Sequence, residues 1–164
     1  RNITSFRGSF EFLSNFYEAP VEFDGLLYGN NEAAFQAQKC LTQEERKIFT
    51  GMRPAKAKRA GRQVQLRPDW EEVKCGLMEE IVRAKFTQNP ELAMRLLATE
   101  DRLIQEGNTW HDTYWGVDSR TGEGENHLGK ILMKVREEIR ENLSKPTCAR
   151  RVGVPPSHEN LAGA

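Results

Sequence analysis

Asn31–Cys40 reads NEAAFQAQKC, with one carboxylate and one ammonium seven residues apart in an otherwise uncharged segment. In a helix seven residues make almost two turns, so Glu32 and Lys39 fall on one face, about 10 Å apart along the axis, with Phe35 and Gln36 between them. Ala33, Ala34 and Ala37 form the other face, which suits close approach of a neighbouring element. Two readings are open: a polar stripe that meets water, or a charged face that looks into a cleft. Either way the segment is a helix, and what flanks it is also mostly helical.

The chain reaches this helix through a hairpin. VEFDGLLY (Val21–Tyr28) sets Asp24-Gly25 between two short apolar runs, a two-residue turn signal. Asn30 or Asn31 can cap the helix that follows. TQEE (Thr42–Glu45) has capping-box spacing and predicts a short second helix ending at Gly51, and Pro54 suits the first turn of a third that runs to Gly61. A long helix starts after Pro68-Asp69, with Trp70, Val73, Leu77, Ile81 and Ala84 stepping at three and four. Asn89-Pro90 opens the next, with Leu92, Leu96 and Leu97. The last begins near Asn126 and offers Leu128, Ile131, Leu132, Val135 and Ile139 to the core. The expectation is a mainly α fold: a single compact helical domain at 1–143 with a small N-terminal β hairpin, then a flexible tail at 144–164.

Composition narrows the function classes. With Lys+Arg 24 against Asp+Glu 24, no global field advertises nucleic acid or membrane. No apolar run approaches the ~20 residues that span a bilayer, so no membrane partner is expected. Cys40, Cys75 and Cys148 are odd in number and widely spaced, and read as free thiols of a reducing compartment, cytoplasmic or nuclear. The chain opens on Arg1 rather than Met, which leaves room for a removed targeting segment. His111, His127 and His158 are scattered, so no metal site and no cofactor is expected. A monomer is expected.

Chemistry has three candidate locations. The loop before the last helix contains WHDTYWG (Trp110–Gly116), an aromatic–acid cluster that can stack a flat ring beside Asp112 or seal the ends of helices. TGEGENHLGK (Thr121–Lys130) is neither a dinucleotide fingerprint nor a P-loop. It can instead deliver Asn126, Gly129 and Lys130 to a helix start whose free amides favour phosphate. From Arg46 to Pro68 eight basic residues (Arg46, Lys47, Arg53, Lys56, Lys58, Arg59, Arg62, Arg67) occur with no acidic one. They read as a solvated face or as a patch for a diphosphate or a nucleic-acid backbone.

FLSNFY (Phe12–Tyr17), NEAAFQAQK (Asn31–Lys39), RAKF (Arg83–Phe86), DTYWG (Asp112–Gly116) and NHLGKILMKVRE (Asn126–Glu137) stand in one order. In that order they resemble the NADAR family, the NAD- and ADP-ribose-associated proteins, over residues 6–140. The resemblance implies an N-glycoside hydrolase that cuts ribose C1 from an exocyclic amine. Its substrates would be ribosylamino-pyrimidine phosphates of riboflavin synthesis, ADP-ribose attached to guanine in DNA or RNA, or both. It implies Glu32, Lys39 and Asp112 as catalytic residues. Asn15, Phe16, Gln36, Trp70, Lys85, Trp115, Gly116, Asn126, Gly129 and Lys130 are implied as binding residues, with Trp70 and Trp115 stacking the base or ribose. A non-catalytic ADP-ribose or NAD-binding module is the alternative. The chain departs from the pattern around Glu32, in GNNE, and at Trp110 and His111, whose roles do not transfer.

A glycosylamine that bears an N–H can open its ring to an imine, into which an amine nucleophile can exchange. Lys39 could be that nucleophile and Glu32 the acid–base group. Glu32 alone would hold Lys39 charged, so burial, Lys85 or another cation must offset it. In a closed-ring route Glu32 and Asp112 would act and Lys39 would only bind.

Overall fold

Asp24 and Gly25 both carry positive φ, 48° and 81°, the conformation that a two-residue hairpin turn of the right twist demands. They join β1 (Glu18–Phe23) to β2 (Leu26–Asn30) in antiparallel register, Val21 opposite Tyr28 and Phe23 opposite Leu26. Ala19, Val21 and Tyr28 point into the core while Glu18, Pro20 and Glu22 face out, the alternation of a sheet buried on one side. The chain is seen in a computed structural model that describes residues 1–145. Most of the tail expected at 144–164, with Cys148 and His158, lies outside the described residues.

Strand passes directly into helix at Asn30. Its backbone is extended, and its side chain accepts the Ala33 amide at 2.8 Å while donating to the Met52 carbonyl at 3.0 Å. The helix it caps, α1 (Asn31–Ala37), is buried at every position. It packs against the hairpin, α3 (Pro54–Gly61) and α4 (Trp70–Gln88). Gly61 permits the approach of α3, since a Cβ there would overlap the Gln36 amide. The reading in which the polar stripe of this helix meets water is therefore wrong. The helix is also shorter than its sequence suggests. Gln38 turns its amide back onto the Ala34 carbonyl at 3.0 Å, and Lys39 closes a tight turn onto the Gln36 carbonyl at 3.2 Å. Lys39 thus lies just past α1, its own carbonyl accepting the Arg67 amide at 3.0 Å.

Between α1 and α3 lies α2 (Gln43–Lys47), capped by Thr42, whose hydroxyl meets both the amide and the carboxylate of Glu45. It stops four residues before Gly51. In α4 the buried set is Trp70, Met78, Ile81, Val82, Lys85 and Phe86, and Val73, Leu77 and Ala84 are only partly covered. This helix meets the hairpin, α1, α5 (Pro90–Leu97) and α6 (His127–Ser144) at different points, so no single stripe describes it. α6 buries Leu128, Ile131, Leu132 and Val135 as its period predicts. It also buries Arg136, whose guanidinium donates to the Thr99 hydroxyl and the Arg102 carbonyl.

A second sheet has no counterpart in the sequence reading. β3 (Gly107–Asn108) and β4 (Val117–Asp118) pair in parallel, and Ile3 bridges Ile104 beside them. Two-residue strands are too short to leave a periodic signal. The mainly α architecture with a small N-terminal hairpin is the one observed, and no helix among the described residues is long and apolar enough to cross a membrane.

Leu132 is fully buried where α6 faces α4. Leu132→Ala should cost about 2–5 kcal/mol, the range for a cavity left in a packed core. Urea unfolding should show a lower midpoint with an unchanged slope.

Candidate active site

A cavity of about 670 Å³ opens between α1, α3, the start of α4 and the 106–116 loop. Of the residues singled out from sequence, Asn15, Phe16, Glu32, Gln36, Lys39, Trp70, Asp112 and Trp115 line it. Glu32 lies at its floor, 8% exposed. Its amide donates to the Asn15 carbonyl at 3.0 Å, and its carboxylate accepts from Gln36 Nε2 at 2.8 Å. Burial raises the Glu32 pKa, while the Gln36 hydrogen bond and the nearby Lys58 and Lys39 work against it.

Lys39 is half-buried, its ammonium 5.7 Å from the centre of the Trp70 ring. Burial lowers its pKa, Glu32 resists, and Arg62, Lys58 and Lys74 add to the depression. The offset demanded by sequence therefore comes from burial and from these three cations. Lys85 plays no part in it. Behind Lys39 stands an aromatic wall, with Phe35 tilted on Trp70 at 5.1 Å and edge-on to Trp115 at 5.5 Å.

Asp112 is held by its own loop. Its Oδ1 accepts the amides of Tyr114 at 3.1 Å and Trp115 at 2.9 Å. Asn108 grips its backbone from both sides, accepting the Asp112 amide at 2.9 Å and donating to its carbonyl at 2.8 Å. The same Asn108 amide donates to Glu106 Oε2 at 3.0 Å, which brings a third carboxyl into the cavity. Sequence reasoning missed Glu106, because nothing in its spacing to Asp112 is periodic.

Five sequence candidates do not line the cavity. Lys85 is buried in the core, donating to the carbonyls of Phe12 at 2.6 Å and Ser14 at 3.0 Å, with the Tyr17 and Phe86 rings beside it. Burial pushes it down to about 7, and it fastens the segment that carries Asn15 and Phe16. Gly116 is needed for space, since a side chain there would overlap Glu106 and Asn108. The helix start read as a phosphate cradle is already occupied: the His127 and Leu128 amides donate to the Tyr114 and Trp115 carbonyls. Asn126, left-handed at φ 54°, clamps Glu106 and Ile104 through its side chain. Gly129 admits the Ile104 carbonyl, and Lys130 is exposed.

The positive charge at the cavity comes instead from the basic run. Lys58 and Arg59 of α3 and Arg62 at its C-cap line the cavity, Lys58 and Arg62 at i and i+4 sharing a face. Arg7 joins them with Lys74, which is paired with Glu71 at 2.6 Å. Arg46 and Arg67 are spent on Asp24 and Asp69, and Lys47 on Glu44. At the mouth, Phe16 and Trp110 are 43% and 58% exposed and flank the Lys58 ammonium at 5.8 Å each. Among the described residues no group of three or more His, Cys, Asp or Glu could hold a metal ion.

The chain has known relatives. The NADAR domain model matches residues 5–140, and the chain belongs to that family. It is 42% identical over 130 residues to the N-glycosidase YbiA of Escherichia coli, covering 77% of this chain and 80% of that one. The NMR structure of E. coli YbiA superposes with a TM-score of 0.78 at 35% identity, over 90% of this chain and 91% of the other. A riboflavin biosynthesis protein of Vibrio vulnificus is 40% identical over 134 residues, but this chain spans only 36% of its length. Kinship gives the class, an N-glycosidase, a hydrolase of N-glycosyl compounds.

Lys85→Met should leave the buried Phe12 carbonyl without its donor, at about 1–3 kcal/mol, and take one of two donors from the Ser14 carbonyl. Chemical denaturation should register the loss. Turnover should fall as well, because the freed segment carries the carbonyl that holds the Glu32 amide.

Proposed function

We propose that the chain hydrolyses the bond between C1 of a phosphorylated ribose and an exocyclic amine. One observation carries the reading: Arg7, Lys58, Arg59 and Arg62, none of them ion-paired among the described residues, the Lys39 amine, and Lys74, itself paired with Glu71, line one cavity with three carboxyls (Glu32, Glu106, Asp112). The surplus of positive charge suits a mono- or diphosphate. The carboxyls and a pKa-depressed amine suit acid–base and nucleophilic work at the sugar beside it. The aromatic wall of Trp70 and Trp115 offers stacking for base or ribose.

Ribosylamino-pyrimidine phosphates and ADP-ribose carried on guanine both meet this description. The cavity volume fits the usual range for small-ligand sites. The exposed Phe16 and Trp110 at its mouth favour a substrate that extends beyond it, such as a modified guanine in DNA or RNA. In both substrates the exocyclic N–H lets the ribose ring open to an imine. Lys39 then adds to C1, the amine leaves, and water releases the sugar from the lysine. Glu32, which takes its hydrogen bond from Gln36 and leaves Lys39 unclaimed, moves the protons of addition and hydrolysis.

The test is incubation with each substrate, following released base by mass. Glu32→Gln keeps the shape of the side chain but not its acid–base chemistry, and should cut turnover by about 100-fold or more with folding intact. Near-wild-type turnover would reject Glu32 in this role.

Borohydride added during turnover should fix the sugar on Lys39, as a mass located there by peptide mapping. Lys39→Arg keeps the charge but forms no such imine, and should be inactive. Normal hydrolysis by Lys39→Arg with no adduct would establish the closed-ring route.

A further inference from the structure

We propose that Glu106 is a third acid–base group of the site and the one that protonates the departing nitrogen. The inference rests on the hydrolase reading above and deepens it. Glu106 is held more firmly than a carboxylate that merely rims a cavity. Its amide donates to Asn126 Oδ1 at 3.0 Å, its carbonyl accepts the Val117 amide at 2.8 Å, and its Oε2 accepts from Asn108 at 3.0 Å. The absence of a side chain at Gly116 makes room for that same oxygen. Among the described residues Oε1 has no partner, so one carboxyl oxygen is free to meet a ligand in the cavity that Glu106 lines.

Its surroundings keep a proton available. Burial and the Asp112 carboxylate raise its pKa to about 7, against Asn108 and the Lys58 ammonium of α3. Glu32 and Lys39 from α1 and its turn, Lys74 of α4 and Arg7 of the N-terminal segment share the cavity. An acid that titrates near the working pH is half in its donating form there, the condition under which proton transfer is most effective.

The step balances within the cavity. With Lys39 nitrogen and the amine both on C1, the bond to the amine breaks and its electron pair passes to the departing nitrogen. That nitrogen takes the Glu106 proton, and the Lys39 lone pair forms the double bond to C1. Water then adds to C1 and returns a proton to Glu106. Glu32 carries the hydroxyl proton of the resulting carbinolamine to the Lys39 nitrogen, the C1–Lys39 bond breaks, and the sugar leaves as its open-chain aldehyde. One water is consumed, and base and sugar are released.

The sign of the pH dependence follows. The protonated form acts, so Glu106 should contribute a limb on which wild-type kcat falls as pH rises above about 7, opposite in sense to the limb of Lys39, whose amine must be neutral to add. Glu106→Gln should lower kcat about 100-fold at similar KM and lose that limb, while Glu106→Asp should retain it. A second readout uses two N-aryl ribosylamine 5-phosphates, one releasing 4-methoxyaniline and one 4-nitroaniline. The better leaving group needs less help from an acid, so the Glu106→Gln penalty should shrink to a few-fold on the nitro compound. An equal penalty on both, or a wild-type pH profile in Glu106→Gln, overturns the assignment. Failure of the wild type to cleave any ribosylamine overturns the hydrolase reading itself, and the assignment with it.

Discussion

A seven-residue helix buried on every side cannot hold itself up, and the architecture is organised around supplying what it lacks. Isolated helices of this length are unstable in water. The first amides of α1 have no partners within the helix, so the side chain of Asn30 takes one and the carbonyl of Asn15 another. Asn15 is in turn hydrogen-bonded by Asn31, and its segment is pinned by the buried ammonium of Lys85. The segments 12–17, 31–39 and 83–86 are therefore one mechanical unit, running from the last turn of α4 to the carboxylate at the cavity floor. Lys85 acts through this chain of contacts, out of reach of any ligand in the cavity.

Burial acts on Glu32 and Lys39 in opposite senses, raising the acid and lowering the amine. Left to themselves the two would pair and restore each other's charge. Gln36 takes one oxygen of the Glu32 carboxylate, and Lys58, Arg62 and Lys74 make a further ammonium charge unfavourable. One feature thereby serves two ends. The positive wall that would receive a phosphate also keeps Lys39 inclined to give up its proton.

The hairpin, the caps at Asn30 and Thr42, and the bounds of α3 were legible because each depends on local rules: a Gly at positive φ, an oxygen over a free amide, a proline in a first turn. Failures came where distant partners decide. The end of α1 is set by Gln38 folding back and by Arg67, twenty-eight residues beyond Lys39. Lys85 and the helix start at Asn126–Lys130 have the composition of binding groups. Both are consumed by backbone carbonyls that no sequence window contains. The basic run showed its charge but not its direction, since ion pairs with Asp24 and Asp69 turn part of it away from the cavity.

Glu106 escaped notice for a reason that also explains the loop that carries it. In a strand, residues 106 and 112 would share a face but stand about 20 Å apart. In a helix, six residues leave them on different faces. No regular structure brings both carboxyls to one small volume, so the chain between them has to be irregular. Irregular backbone needs other partners for its polar groups. Asn108, Asp112 and Asn126 provide them with side-chain amides and carboxylates, and the two short parallel strands close the base of the loop. The absence of periodicity in this stretch is therefore what places Glu106, Asp112 and Trp115 around one cavity.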